Sequence, residues 1–221
     1  MRKMVLDFLF GRNKVKPEKP IEPIAEKIDY RQKIQEINVK LRIQKEKLER
    51  SLANLEYKNK QLFDKVVKAQ AEKNKDWAVL YANEMVQVKK IASTISTAIA
   101  ALEKVSLRLE TVLVTMDVKD LLTSPEVAIL KPLSESLRGV MPEVSMELNK
   151  ISESLDEVAL SFGAAEGYNT VQYVKDEDVQ SILREASIAA AQRIKNTFAQ
   201  PDLDSLKENE KASSATIGSN W

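Results

Sequence analysis

From about Ile24 to Lys75 the chain contains neither proline nor glycine, and Ile34, Leu41, Leu48, Leu55, Leu62 and Ala69 recur there every seven residues. Ile37, Leu52 and Val66 broaden the stripe, and the opposite face is dense in Lys, Arg and Glu. An apolar repeat of this period, uninterrupted by helix breakers, predicts one amphipathic helix of about 50 residues, roughly 75 Å long. Asn74-Lys75-Asp76 is the turn signal before a second run. From Trp77 to about Met116, Trp77, Tyr81, Val88, Ile91, Ile95, Ala98, Leu102, Val105, Leu109, Val112 and Met116 follow 3- and 4-residue steps, with a gap at Glu84 beside Met85. Neither stripe can stay in water over that length. Joined by a short turn, they predict an antiparallel helical hairpin over residues 24–116. Ala92, Ser93, Ser96, Thr97, Ala98, Ala100 and Ala101 would let a second helix approach closely.

The rest of the chain is all-α but more broken. Shorter helices are expected over about 118–162, which closes a helical core at 24–162. Ser124 suits an N-cap, Pro125 the first turn and Glu126 the position behind it, while Pro132 and Pro142 punctuate the region. Helical spacing resumes at Val144, Leu148, Ile151, Leu155, Val158 and Phe162. Gly163-Ala-Ala-Glu-Gly167 reads as the start of a linker over 163–175. It spells G-x-x-x-G but lies outside any apolar 20-mer, so a membrane-dimer reading fails. A last helix is expected over 176–199, with the acidic Asp176-Glu177-Asp178 at its N-terminus. Calcium binding there lacks the glycine-containing spacing of an EF-hand loop. Residues 200–221 are polar and expected to be disordered.

The opening differs from everything that follows. Met1, Met4, Val5, Leu6, Phe8, Leu9 and Phe10 make seven of the first ten residues apolar, with Arg2 and Lys3 beside them. Met1, Met4, Val5, Phe8 and Leu9 share one helical face. Asp7 interrupts the run and no small-residue cleavage site follows, so a signal peptide does not fit. Residues 1–12 read as an amphipathic interfacial anchor on a Pro-rich linker, 13–23.

Composition narrows function mainly by subtraction. The 221 residues include no histidine and no cysteine, which removes the parts of Ser-His-Asp and Cys-His triads, zinc fingers, Fe–S clusters and disulfide frameworks. No phosphate-cradling glycine loop is present. No cofactor is expected, and the chain does not read as an enzyme. The net charge of +1 conceals an asymmetry: residues 1–75 carry 20 basic against 11 acidic side chains, and residues 111–221 carry 10 against 18. A basic front and an acidic back can attract each other or separate partners. Acid interspersed through the front, and a second helix balanced in charge, argue against nucleic acid.

Taken in order, these features resemble the ESCRT-III family, and within it the archaeal CdvB-type cell-division group of Sulfolobus. The resemblance covers roughly residues 1–200. It rests on the amphipathic Met1–Phe10, the basic hairpin, the acidic helices 124–162 and the late helix, and on stretches such as Lys73-Asn-Lys-Asp-Trp-Ala-Val-Leu-Tyr-Ala-Asn-Glu-Met85 and Ile99-Ala-Ala-Leu-Glu-Lys-Val105. It implies a cytoplasmic, peripheral membrane subunit of the division site. Such a subunit assembles with itself and with sister CdvB-type subunits into filaments on anionic lipid, and constricts or severs membrane necks. It implies a closed monomer whose acidic C-terminal helices fold on the hairpin, and an AAA+ ATPase of the CdvC type that disassembles the polymer. The ATPase-binding or autoinhibitory helix would carry Ile182, Leu183, Arg193, Ile194 and Phe198. Leu203 and Leu206-Lys207 are a weaker match to the ATPase motif. Only about twenty polar residues follow Pro201, so the winged-helix segment of one CdvB paralogue is expected to be absent. A soluble coiled-coil adaptor dimer without membrane activity is the competing reading. It explains both stripes and leaves the apolar opening unexplained.

Overall fold

The computed structural model describes residues 30–115, 121, 124–166 and 175–198. The anchor at Met1–Phe10, the linker 13–23, Met116, the tail 200–221 and its Leu203, Leu206 and Lys207 lie outside the described residues. Every regular element among those described is an α-helix.

Two of these helices dominate: α1 (Tyr30–Ala71, 42 residues) and α2 (Lys75–Thr115, 41 residues), each about 60 Å long. They pair antiparallel. Ile34, Leu41, Leu48, Leu52, Leu62 and Val66 of α1 are buried against Met85, Val88, Ile95, Leu102, Leu109 and Val112 of α2, all within one continuous core. Leu55 is only half-buried, and Asn59 takes the buried place one turn on. Arg42–Glu110 (2.7 Å), Lys45–Glu103 (3.3 Å) and Lys58–Glu84 (2.8 Å) cross the seam like rungs. These pairs are solvent-exposed, so they contribute little stability and chiefly favour this register.

The turn falls earlier than Asn74-Lys75-Asp76. Helix α1 stops at Ala71, and Lys73 adopts a left-handed backbone with φ 57°. The Lys73 amide donates to the Gln70 carbonyl (3.0 Å) and the Asn74 amide to the Ala69 carbonyl (2.8 Å), the pair of bonds that closes a Schellman turn. Asn74 Oδ1 then accepts from the Trp77 amide (3.3 Å) and caps α2. Asn74 is therefore a cap, and Lys75 and Asp76 are already helical.

This geometry corrects the stripe at the start of α2. Trp77 is not a core residue: it is 51% exposed and stacks on Tyr81 with ring centroids 5.6 Å apart. Tyr81 is half-buried and Ile91 is exposed. The seam runs instead through Ala78, Ala82, Met85, Val88 and Ala92. Beside a tight turn the helix axes are held close, and an alanine methyl fits between them where an indole does not. Following Met85 also removes the apparent gap at Glu84.

Beyond α2 the chain folds back. Helices α3 (Pro125–Ala128) and α4 (Leu130–Leu137) are short, separated at Ile129, and Pro132 sits in the first turn of α4. Ser124 occupies the position before Pro125, but its hydroxyl donates to Glu126 Oε2 (2.7 Å) rather than capping a backbone amide. Helix α5 (Pro142–Glu166) begins on Pro142 and continues past Phe162 through Gly163, so residues 163–166 of the expected linker are helical, and 167–174 lie outside the described residues. The adjoining Ala164 and Ala165 are strong helix formers and offset the helical cost of one glycine, about 1 kcal/mol. Helix α6 (Asp176–Thr197) completes the described chain.

Candidate functional site: the basic hairpin and the helices that cover it

The described chemistry is a matter of surfaces. Helix α1 carries 11 Lys/Arg against 5 Asp/Glu, whereas α5 carries one lysine against six carboxylates. These two helices lie against each other. Val144, Leu148, Ile151, Leu155 and Val158 of α5 are buried, and at the far end Phe162 meets the Tyr30 ring edge-on at 5.7 Å. The Glu147 carboxyl is held below its ordinary pKa chiefly by its hydrogen bond to Lys150, with Lys150, Lys47 and Lys40 adding attraction. Lys40 and Lys47 belong to α1 and are the smallest of these contributions, so charge adds only weakly to the apolar contact between the two helices. The Asp156 carboxyl moves the other way. Desolvation raises its pKa, and Glu153 adds to the rise while Lys131 opposes it.

A polar pin joins α5 to α4. Ser145 Oγ donates to the Ser134 carbonyl (2.7 Å), and Ser134 Oγ to Asn149 Oδ1 (2.5 Å). Both serines are buried, which makes these bonds costly to break without water.

Helix α6 lies along α2 and touches α3. Ala186 and Ala190 are buried in its contact, Val179, Ile182, Leu183 and Ile194 are half-buried, and Phe198 is buried just past its end. Glu185 pairs with Lys104 of α2. Of the residues assigned to an ATPase-binding or autoinhibitory helix, Ile182, Leu183, Ile194 and Phe198 thus face protein, while Arg193 is exposed.

Sequence reasoning missed the Ser134–Ser145–Asn149 pin, the Lys104–Glu185 pair and the position of Glu147 between lysines of its own helix and of α1. The opposed net charges of front and back were the available signal for Glu147, whereas Lys104 lies in the second helix, whose charges balance, and gave none. Serines inside a helix give no comparable warning. No described helix is long and apolar enough to cross a membrane.

Comparison with known proteins addresses the whole layout. The Snf7 family profile matches residues 36–186, from the first turns of α1 into α6. Cell division protein B1 of Sulfolobus acidocaldarius is 33% identical over 202 residues, 91% of this chain and 91% of that protein. Cell division protein B of the same organism is 34% identical over 169 residues, 76% of this chain and 64% of that protein. No solved structure matches significantly. The long hairpin, the shorter helices folded on it and these two relatives agree: the chain belongs to the Snf7, or ESCRT-III, family of non-enzymatic structural proteins.

Proposed function

We propose that this chain is a filament-forming subunit of the archaeal division machinery that binds and remodels membrane. It cycles between a closed monomer and an open polymer, in which it constricts or severs the membrane neck. The observation that carries the reading is the packing of the acidic α5 on the basic α1, beside α6 on α2. Such a cover competes with any anionic surface for the same hairpin. The two relatives named as division proteins supply the setting.

The lipid contact in this reading is the amphipathic Met1–Phe10. An apolar side chain fully buried contributes roughly 1.5–3 kcal/mol, and an interfacial one less. Each basic residue near an anionic surface adds about 1 kcal/mol. One segment with Phe8, Leu9 and Phe10 binds reversibly. A filament carrying many such segments gains by effective concentration, so assembly switches binding on. Sister CdvB-type subunits and a CdvC-type AAA+ ATPase are the protein partners, with α6 as the helix that either closes the hairpin or engages the ATPase.

The test is vesicle co-sedimentation with negative-stain microscopy, on anionic and neutral vesicles. The full chain is compared with Phe8→Asp/Leu9→Asp and with Ile182→Asp/Leu183→Asp, which unseats α6. The expected result is loss of pelleting in the first variant and enhanced filaments on anionic vesicles in the second. A discrete soluble dimer in every case, with no lipid pelleting, would establish the adaptor reading instead.

A further inference from the structure

We propose that the turn end of the hairpin is a second lipid contact, placing Trp77 and Leu80 at the boundary between headgroups and acyl chains of an anionic membrane. The inference rests on the membrane-binding function proposed above and adds a site distinct from Met1–Phe10. Large apolar side chains are bared at several points of the surface, but Trp77 (51% exposed), Val79 (50%) and Leu80 (54%) fall within one turn of helix at the end of the rod. Trp77 and Leu80 are the third and sixth residues of α2. At 1.5 Å per residue both lie within about 8 Å of the helix end, inside the roughly 5–10 Å to which interfacial segments bury their apolar face.

The chemistry around them fits that depth. The indole stacks on Tyr81, and Lys65 Nζ lies 5.5 Å from the centre of the Tyr81 ring. Trp and Tyr prefer the headgroup level because one part of each ring system is apolar and another hydrogen-bonds. Residues 65–77 carry four lysines, Lys65, Lys68, Lys73 and Lys75, against Glu72 and Asp76. Lysine stems can lie along the apolar region while their ammonium groups reach lipid phosphates. The turn itself keeps three of its amides bonded internally: Lys73 to Gln70, Asn74 to Ala69, and Trp77 to Asn74 Oδ1. That lowers the desolvation cost of bringing the turn up to lipid.

The pattern along α2 distinguishes a flat surface from a second helix. In 3- and 4-residue steps, Trp77, Leu80, Glu84, Gln87 and Ile91 are all exposed, whereas Ala98, Ala101 and Val105 on the same line are buried. Glu84 and Gln87 interrupt the bare part directly after Leu80. What remains is a short apolar cap at one end of a rod, too brief for a helix-length seam and suited to end-on contact.

Trp77 reports on its own site once the other tryptophan is replaced, as Trp221→Phe. This full-length variant is mixed with phosphatidylglycerol–phosphatidylcholine vesicles, with phosphatidylcholine alone as control, and followed by pelleting and by Trp77 emission. The expected result is a blue shift on the anionic vesicles, quenching by bromine-labelled acyl chains, and an affinity about tenfold weaker in Trp77→Ser/Leu80→Ser. Both side chains are exposed, so helix content should be unchanged in that variant. Pelleting without a shift or quenching would overturn this inference and leave the proposed function standing. A blue shift that grows with protein concentration in the absence of lipid would overturn it in favour of a second copy on the patch. No pelleting at all would refute the proposed function, and this contact with it.

Discussion

Helices α5 and α6 both cover the hairpin, but their seats differ in kind. Helix α5 packs on α1 and α4 with five fully buried branched aliphatics, Val144, Leu148, Ile151, Leu155 and Val158, and the polar pin through Ser134 and Ser145 ties it to α4. Helix α6 buries only Ala186 and Ala190 within its length and Phe198 just past its end, and its other larger apolar side chains, Val179, Ile182, Leu183 and Ile194, are half-buried. A fully buried Leu or Ile is worth roughly 1.5–3 kcal/mol, and an alanine methyl under about 1 kcal/mol. The chain therefore has a firm cover and a loose one. Local opening follows the weaker seat first, so α6 leaves the hairpin at a lower cost than α5.

The sharpest way to break this comparison is to weaken the firm seat. Leu148→Ala opens a cavity between α5 and the hairpin and is expected to cost about 2–5 kcal/mol, read as a fall in the urea midpoint of the whole described core. If amides in α5 exchange early while the rest stays protected, α5 is the loose cover and the ranking is wrong. The next largest effect is on α6. Ala186→Glu forces a longer, charged side chain into a seam built for a methyl, at about 1–3 kcal/mol. Hydrogen exchange should then show α6 amides losing protection with those of α1, α2 and α5 unchanged. Loss of protection throughout would mean that α6 is part of the cooperative core.

The hairpin was legible because its signal is long: an error of one residue in one heptad cannot hide a repeat carried by Ile34, Leu41, Leu48 and Leu62. The same argument explains the misreading at Trp77. Near the turn only two heptads constrain the phase, and the largest apolar residue attracted the stripe although the close helix approach selects Ala78 and Ala82. The charge asymmetry, a long-range property of composition, allowed the fold-back of α5 onto α1 but equally allowed separate partners, and the resemblance to the family supplied the choice. The serine pin was not, because Ser134 and Ser145 look like solvent-facing residues until α4 and α5 are placed side by side. The cap at Lys73 was hidden for a related reason: a left-handed C-terminal turn usually advertises itself with glycine, and here a lysine adopts it.

A smaller effect separates electrostatics from packing in the loose seat. Lys104 pairs with Glu185 across α2 and α6, and both side chains are substantially exposed. Lys104→Ala should cost no more than about 1 kcal/mol, with most of that difference gone in high salt. A larger, salt-insensitive loss would mean that the ion pair rather than the alanine contact holds α6.

The smallest expected effect lies in the firm seat, where two carboxyls of α5 oppose each other. Glu147, with its pKa lowered, contributes stability that is present above the ordinary glutamate pKa and is lost as pH falls through the lower folded value. Asp156, with its pKa raised by desolvation, contributes in the opposite sense: its share is present below the ordinary aspartate pKa and lost as pH rises through the higher folded value. Asp156 is exposed at the edge of that seat, so at neutral pH it is only a slight liability to the packing of α5. Asp156→Asn should raise Tm by about 1 °C at pH 7 and leave it unchanged at pH 3, where the native carboxyl is already neutral. An equal rise at both pH values would assign the gain to helix propensity or packing. A fall at pH 7 would mean that the attraction of Lys131 outweighs burial, and that α5 is held by charge at both carboxyls.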